Sequence, residues 1–153
     1  MSLSLDRTAL ACGRSAVDAL EWSLAGVFLS AFTSATLLPG TSEAALLGFA
    51  AAFPDAMWSA FFTASAGNTL GSMTTYAIGR FVPEPRKIPE RAKRWLGRWG
   101  AAALVFAWVP VAGDALPLAA GVLRCPWPAC LVFTLIGKSA RYAALLGLFG
   151  LAA

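Results

Sequence analysis

Five side chains have the types and settings to do chemistry: Glu43, Asp114, Lys138, Arg141 and Asn68, each surrounded by long apolar sequence. An acid held inside a bilayer costs about 2.5–3.5 kcal/mol at a helix centre, so it faces a cavity or a partner charge. Two acids therefore need compensation. Lys138 and Arg141, one helical turn apart, are the cations available within the apolar sequence, so at least one acid is expected to pair with Arg141. Asn68 follows Ser65 and precedes Thr69, Ser72, Thr74 and Thr75 in a polar string, and its amide cannot be left unpaired in hydrocarbon. It is expected to face the segments that carry the acids. Such a set suits an anionic headgroup held by Arg141 and Lys138 while Glu43 and Asp114 change protonation or partner. The plainer reading is an ion pair that only glues two halves of the chain together.

These residues need a bilayer around them, and the composition supplies one. The chain has 153 residues, 58% hydrophobic and 13% charged, with a mean hydropathy of +0.67, far more apolar than an ordinary soluble domain. The excess of 12 Lys+Arg over 8 Asp+Glu is gathered in one short segment, which reads as membrane topology rather than nucleic-acid binding. Three cysteines and no histidine exclude a Cys/His zinc site and a Cys-His catalytic pair. No metal and no cofactor are expected.

Four apolar stretches follow a mixed lead-in at 1–21, and together they form a single membrane domain over 22–153. Each is long enough to cross, since a bilayer takes about 20 helical residues. Two of them are interrupted. Pro39-Gly40 breaks 22–53, and Pro110, Gly113 and Pro117 surround Asp114 in 99–123, so each is expected as a re-entrant helical hairpin that enters and leaves on one face. The uninterrupted stretches, 56–80 and 126–150, are expected as transmembrane helices. A signal peptide, with 22–31 as its apolar core, is the rival reading of the start.

Between the halves lies RFVPEPRKIPERAKRWLGR at 80–98, with seven basic and two acidic residues. The positive-inside rule makes it cytoplasmic. Along the basic segment 86–98 and into Trp99, Ala92, Trp95, Leu96 and Trp99 recur at three- and four-residue spacing while Arg91, Lys93, Arg94 and Arg98 lie off that stripe, predicting an amphipathic helix on the inner leaflet; a solvated charged linker is the alternative. With that loop inside, the two hairpins enter from opposite faces. LLPGTSEAALLGFAAAFPDAMW in the first half and VPVAGDALPLAAGVLRCPWPAC in the second share the order break, acid, small apolar residues, proline, span. That order fits an inverted repeat with a site near the midplane. The fold class expected is an all-α integral membrane protein: two opposed re-entrant hairpins, two transmembrane helices and a cytoplasmic amphipathic helix. Trp22, Trp58, Trp108 and Trp127 read as interface anchors or core, the glycines of Gly67-Asn68-Thr69-Leu70-Gly71 as helix packing, and Cys125 and Cys130 as small inert hydrophobes.

Several blocks also resemble a known family. SATLLPGTSE at 34–43, GNTLG and IGRF within 67–81, WLGRWG at 95–100, WVPVAGD at 108–114 with Gly121, and GKSARY at 137–142 resemble the DedA / SNARE-associated (VTT domain) membrane proteins, in particular the YqaA-like branch. The resemblance implies opposed re-entrant hairpins in the bacterial inner (plasma) membrane and movement of lipid across it. It also implies a polyprenyl phosphate or phospholipid cargo and coupling to protons or another ion such as sodium. Glu43 matches the family's acid in the first hairpin, and Arg141 resembles a basic position in its last helix. The main branch carries arginines around the proline of the second hairpin; this chain has FAWVPVAGDALPLAAG there, with Asp114 and no arginine.

The leading reading is a lipid translocase or transporter and not an enzyme. The alternatives are a non-transporting membrane scaffold and, with Ser42, Glu43, Asp114 or Lys138 as its reactive groups, an enzyme acting on a lipid phosphate. Membrane lipids are the expected partners and nucleic acid is not. A second copy is a further candidate partner, because two hairpins and two spans are few to enclose a cavity.

Overall fold

A computed structural model describes the backbone of residues 3–35, 41–81, 90–108 and 112–152, and their side chains from residue 18 onward except at 107–108, 112–114, 149 and 151–152. Every regular element among the described residues is helical. In chain order these are α1 (Leu3–Ser34), α2 (Thr41–Ala52), a short 3-10 turn (Pro54–Ala56), α3 (Met57–Phe81) and α4 (Glu90–Trp99). A 3-10 arm (Gly100–Trp108), α5 (Ala112–Val122) and α6 (Trp127–Ala152) complete the order. The breaks at Pro39-Gly40 and Pro110 lie outside the described residues. Helix α1 begins at Leu3 and runs through the lead-in into the first apolar arm without interruption.

Side-chain and backbone contacts give the directions of the helices. Gly67 lies against the carbonyl of Phe28 and Gly71 against that of Phe32, while Thr75 donates to the carbonyl of Ala35; both numbers rise together, so α1 and α3 run parallel. Helix α2 returns along α1. Ser42 donates to Ser34 at 3.2 Å, and further on Ser23 and Val27 share a cleft with Gly48, Phe49 and Phe53. Helices α3 and α6 are antiparallel: Asn68 meets Tyr142, the later Tyr76 donates to the carbonyl of Cys125 just before α6, and the earlier Met57 and Phe61 border a cleft with Leu146 and Gly147. Ala35, the last described residue of the first arm, lies level with Thr75 of α3.

Two apolar cores lie at opposite ends of α3. Ala60 and Ala64 pack with Val27, Ala31, Leu46 and Phe49 and with Tyr142 and Leu146 of α6. Tyr76 packs with Ala92 and Leu96 of α4, Leu104 of the 3-10 arm, Leu116 and Ala120 of α5, and Cys130. The outer surface is oily. Leu29, Phe62, Leu70, Ile78, Val132, Leu135, Ile136 and Leu148 are exposed, whereas Ser65, Asn68, Thr69, Ser72, Thr134 and Lys138 are buried. A water-soluble domain distributes these classes the other way, so the arrangement matches a lipid surrounding. Among the described residues one helix, α6 over Trp127–Leu148, is both long and apolar enough to cross a bilayer. Helix α3, at 25 residues, has the length (about 37 Å), but its Ser, Thr and Asn string lowers its hydropathy.

The second hairpin differs from expectation in its first arm, which is a 3-10 helix of nine residues instead of an α-helix. Its steeper rise carries the arm about 18 Å rather than about 13.5 Å, so a short segment covers more of α6. Close backbone approach holds it there: a Cβ on Gly137 would meet the carbonyl oxygen of Val105 at 2.5 Å. The crossing of α3 and α5 is tighter, since a Cβ on Gly121 would lie 2.0 Å from the Tyr76 carbonyl oxygen and one on Gly79 2.3 Å from that of Leu118. Helix α5 then stops in a Schellman arrangement: Cys125 N–H bonds to Ala120, Arg124 N–H to Gly121, and Arg124 takes the left-handed conformation with φ +53°. Pro128 falls in the first turn of α6, where no amide hydrogen is required.

Candidate functional site

Glu43 stands in the first turn of α2, where the helix's unpaired amides favour a negative charge. Arg141 reaches it from α6, and Arg141 Nη2 and Glu43 Oε1 form a direct ion pair. The pair is mostly enclosed, with the Arg141 side chain 17% and the Glu43 side chain 31% exposed. It joins the first hairpin to the last helix. One turn earlier on α6, Lys138 is 1% exposed, so its long side chain is held entirely within the protein.

Beside this pair runs a polar seam. Asn68 Nδ2 donates to Tyr142 Oη at 2.5 Å, near the middle of the 25-residue α3. Asn68 thus meets α6, where the expectation had it facing the hairpins; α6 crosses α3 at that level and brings a buried phenol oxygen that accepts the amide. The opposite face of the same need stays open. Ser65, Thr69 and Ser72 of α3, the Asn68 side-chain oxygen Oδ1 and Thr134 of α6 are buried with no hydrogen-bond partner among the described residues. Spacing of three, four and seven residues puts the α3 groups on one side of that helix, between the two apolar cores. Each unpaired buried group costs about 1–3 kcal/mol, so the seam weighs against the packing that buries it.

Asp114 is the third residue of α5, as Glu43 is of α2, but its side chain lies outside the described residues. Tyr76 and Tyr142, both buried, are partners that the sequence reading passed over. A signal was present. Gly71 to Ala77 reads GSMTTYA and Gly137 to Ala143 reads GKSARYA, the same G-x4-Y-A spacing in both long helices. In each, the glycine abuts a carbonyl of the preceding hairpin arm, Phe32 or Val105, and the tyrosine turns to a partner: Tyr76 to the Cys125 carbonyl, with Arg80 donating to it at 3.1 Å, and Tyr142 to Asn68. Arg141 occupies the place that Thr75 holds in the first copy.

Helix α4 buries Ala92 and Leu96 and leaves Trp95 and Trp99 exposed, so the apolar stripe divides into a docked row and an outward aromatic row. Lys93 bonds Glu90 at 2.8 Å; that bond and the ammonium charge hold the Glu90 carboxyl below its usual range. Burial pushes the Cys125 thiol up, which disfavours the reactive thiolate. Among the described residues no group of His, Cys, Asp and Glu could hold a metal ion.

Comparison with known proteins gives this architecture a family. The VTT domain matches residues 38–150. The chain is 42% identical over 125 residues to "Inner membrane protein YqaA" of Escherichia coli (strain K12), covering 80% of this chain and 88% of that protein, and the Shigella flexneri protein of the same name matches equally. An "Uncharacterized protein" of Haemophilus influenzae is 43% identical over 136 residues, covering 81% of this chain and 85% of that one. No solved structure matches. With the VTT domain spanning most of its length and relatives of this identity along most of theirs, the chain belongs to the VTT domain (DedA) family.

Proposed function

We propose that this chain is a lipid translocase of the bacterial inner membrane, in which an anionic headgroup competes with Glu43 for Arg141. The observation that carries the reading is the enclosed Glu43–Arg141 pair, with Lys138 buried one turn away on the same helix. A guanidinium bound to one carboxylate can exchange it for a phosphate oxygen with similar geometry. Displaced Glu43 would then take a proton or another partner, which is how ion coupling enters. The unpaired oxygens of the α3–α6 seam support a polar path beside the pair. The return of α2 along α1 supports a re-entrant hairpin, and the shared G-x4-Y-A pattern in two antiparallel helices supports an inverted repeat. The name of the Escherichia coli relative supports the membrane.

The test is movement of a labelled anionic phospholipid in proteoliposomes carrying equal amounts of the original chain, Glu43→Gln, Asp114→Asn or Arg141→Ala. Arg141→Ala is expected to slow movement at least tenfold, because a charge-assisted contact of about 1.5–3 kcal/mol is lost. Unchanged rates in all three variants would remove the reading.

A further inference from the structure

Helix α4 presents a feature that the translocation reading does not use. At about 100° per residue, Arg91, Arg94 and Arg98 fall within roughly 60° of one another. Trp95 and Trp99 form the next row, and Ala92 and Leu96 the row after that, buried against α5 and the 3-10 arm. The three arginines and two tryptophans line one open groove of about 570 Å³. None of Arg91, Arg94 and Arg98 forms an ion pair among the described residues; Glu90, one turn before Arg94, is bonded to Lys93 and also feels the Arg94 charge. Arg98 is instead spread toward the Trp99 ring at 5.9 Å.

We infer that this face of α4 is a docking surface for an anionic phospholipid leaflet, separate from the Glu43–Arg141 pair. Charge decides the sign of the occupant, since three guanidinium groups on one face, facing a single carboxylate that is already bonded to Lys93, attract phosphate. Continuity decides that it is a lipid surface. Helix α4 passes at Gly100 directly into the uncharged GAAALVFAW of the 3-10 arm, with no linker to hold it away from the bilayer. Trp95 packs edge-on against exposed Phe106 of that arm, ring centroids 5.3 Å apart. The graded order of cations, then tryptophans, then buried apolar residues is the order of headgroup, interface and core in a bilayer, where tryptophan belongs at the boundary. The surface reads leaflet charge whether or not the chain moves lipid.

Amide hydrogen exchange of the full-length chain in nanodiscs tests this. Against discs of pure phosphatidylcholine, discs containing one third phosphatidylglycerol are expected to slow exchange across 90–99 by roughly fivefold or more. R91Q/R94Q/R98Q is expected to abolish that difference, and R91K/R94K/R98K, which keeps the charge, to preserve it. Equal exchange in the two discs, or a difference that survives the glutamine variant or is lost in the lysine one, overturns the inference. Two further arms use phosphatidylcholine discs alone. Inorganic phosphate is expected to leave exchange unchanged, and protection equal to that of phosphatidylglycerol would assign a soluble anion instead. Polyglutamate and RNA are likewise expected to protect nothing; protection by either, without any from phosphatidylglycerol, would assign an acidic macromolecule.

Discussion

Arg141 shows how one residue can hold two elements together. Its partner Glu43 is 98 positions away in sequence, so the contact exists only after the hairpin and the last helix have docked. An uncompensated charge in such a place costs about 2.5–3.5 kcal/mol. Removing Glu43 alone therefore harms the protein more than removing both partners. In a double-mutant cycle of Glu43→Ala and Arg141→Ala, read by reversible unfolding in micelles, the expected coupling is on the order of 2 kcal/mol; additive single effects would show that the contact carries no stability. Type and setting marked Arg141 as the partner of an acid, without deciding between Glu43 and Asp114. The shared G-x4-Y-A spacing marks Tyr142 in the sequence, but it does not reveal that the hydroxyl will meet the Asn68 amide.

At the scale of elements, close backbone contact sets the packing. Small residues allow it: Gly67 and Gly71 seat α3 on α1, Gly137 seats α6 on the 3-10 arm, and Gly79 with Gly121 locks α3 to α5. At the last crossing, the atoms that an added methyl would strike belong to backbone, which cannot rotate away. Gly121→Ala is expected to push α5 off α3 and lower stability by about 1–3 kcal/mol, measured by thermal unfolding in detergent. Gly97→Ala, where nothing lies within 4 Å of an added Cβ, is the matched control and should leave stability unchanged or raise it slightly. The GxxxG spacing announced a packing face in the sequence. Which helix would sit on it was not announced, and neither was the 3-10 form of 100–108, since both depend on how far the arm must reach along α6.

At the scale of the whole molecule, many large oily side chains face outward among the described residues, an apolar core lies toward each end of α3, and the polar seam lies between the cores. If α3 crosses the bilayer, Asp55 before it and α4 after it face opposite sides. Single cysteines in a Cys-free background test this with an impermeant maleimide: Asp55→Cys should label on intact cells, and Lys93→Cys only after the inner face is opened. Labelling of both from one side would refute the orientation that the positive-inside rule assigns to 80–98. Composition and hydropathy were enough to establish helices and a membrane protein, because those follow from local transfer energies that each residue carries with it. The blocks of sequence around Glu43, Asn68 and Arg141 were likewise enough to point to the family. Only the tertiary structure decided that Glu43 is the acid that meets Arg141, that Asn68 turns to Tyr142, and that the two tryptophans of α4 face outward while Ala92 and Leu96 dock. Each of those outcomes depends on which surfaces meet when the helices pack, a property of pairs distant along the chain and of no single segment.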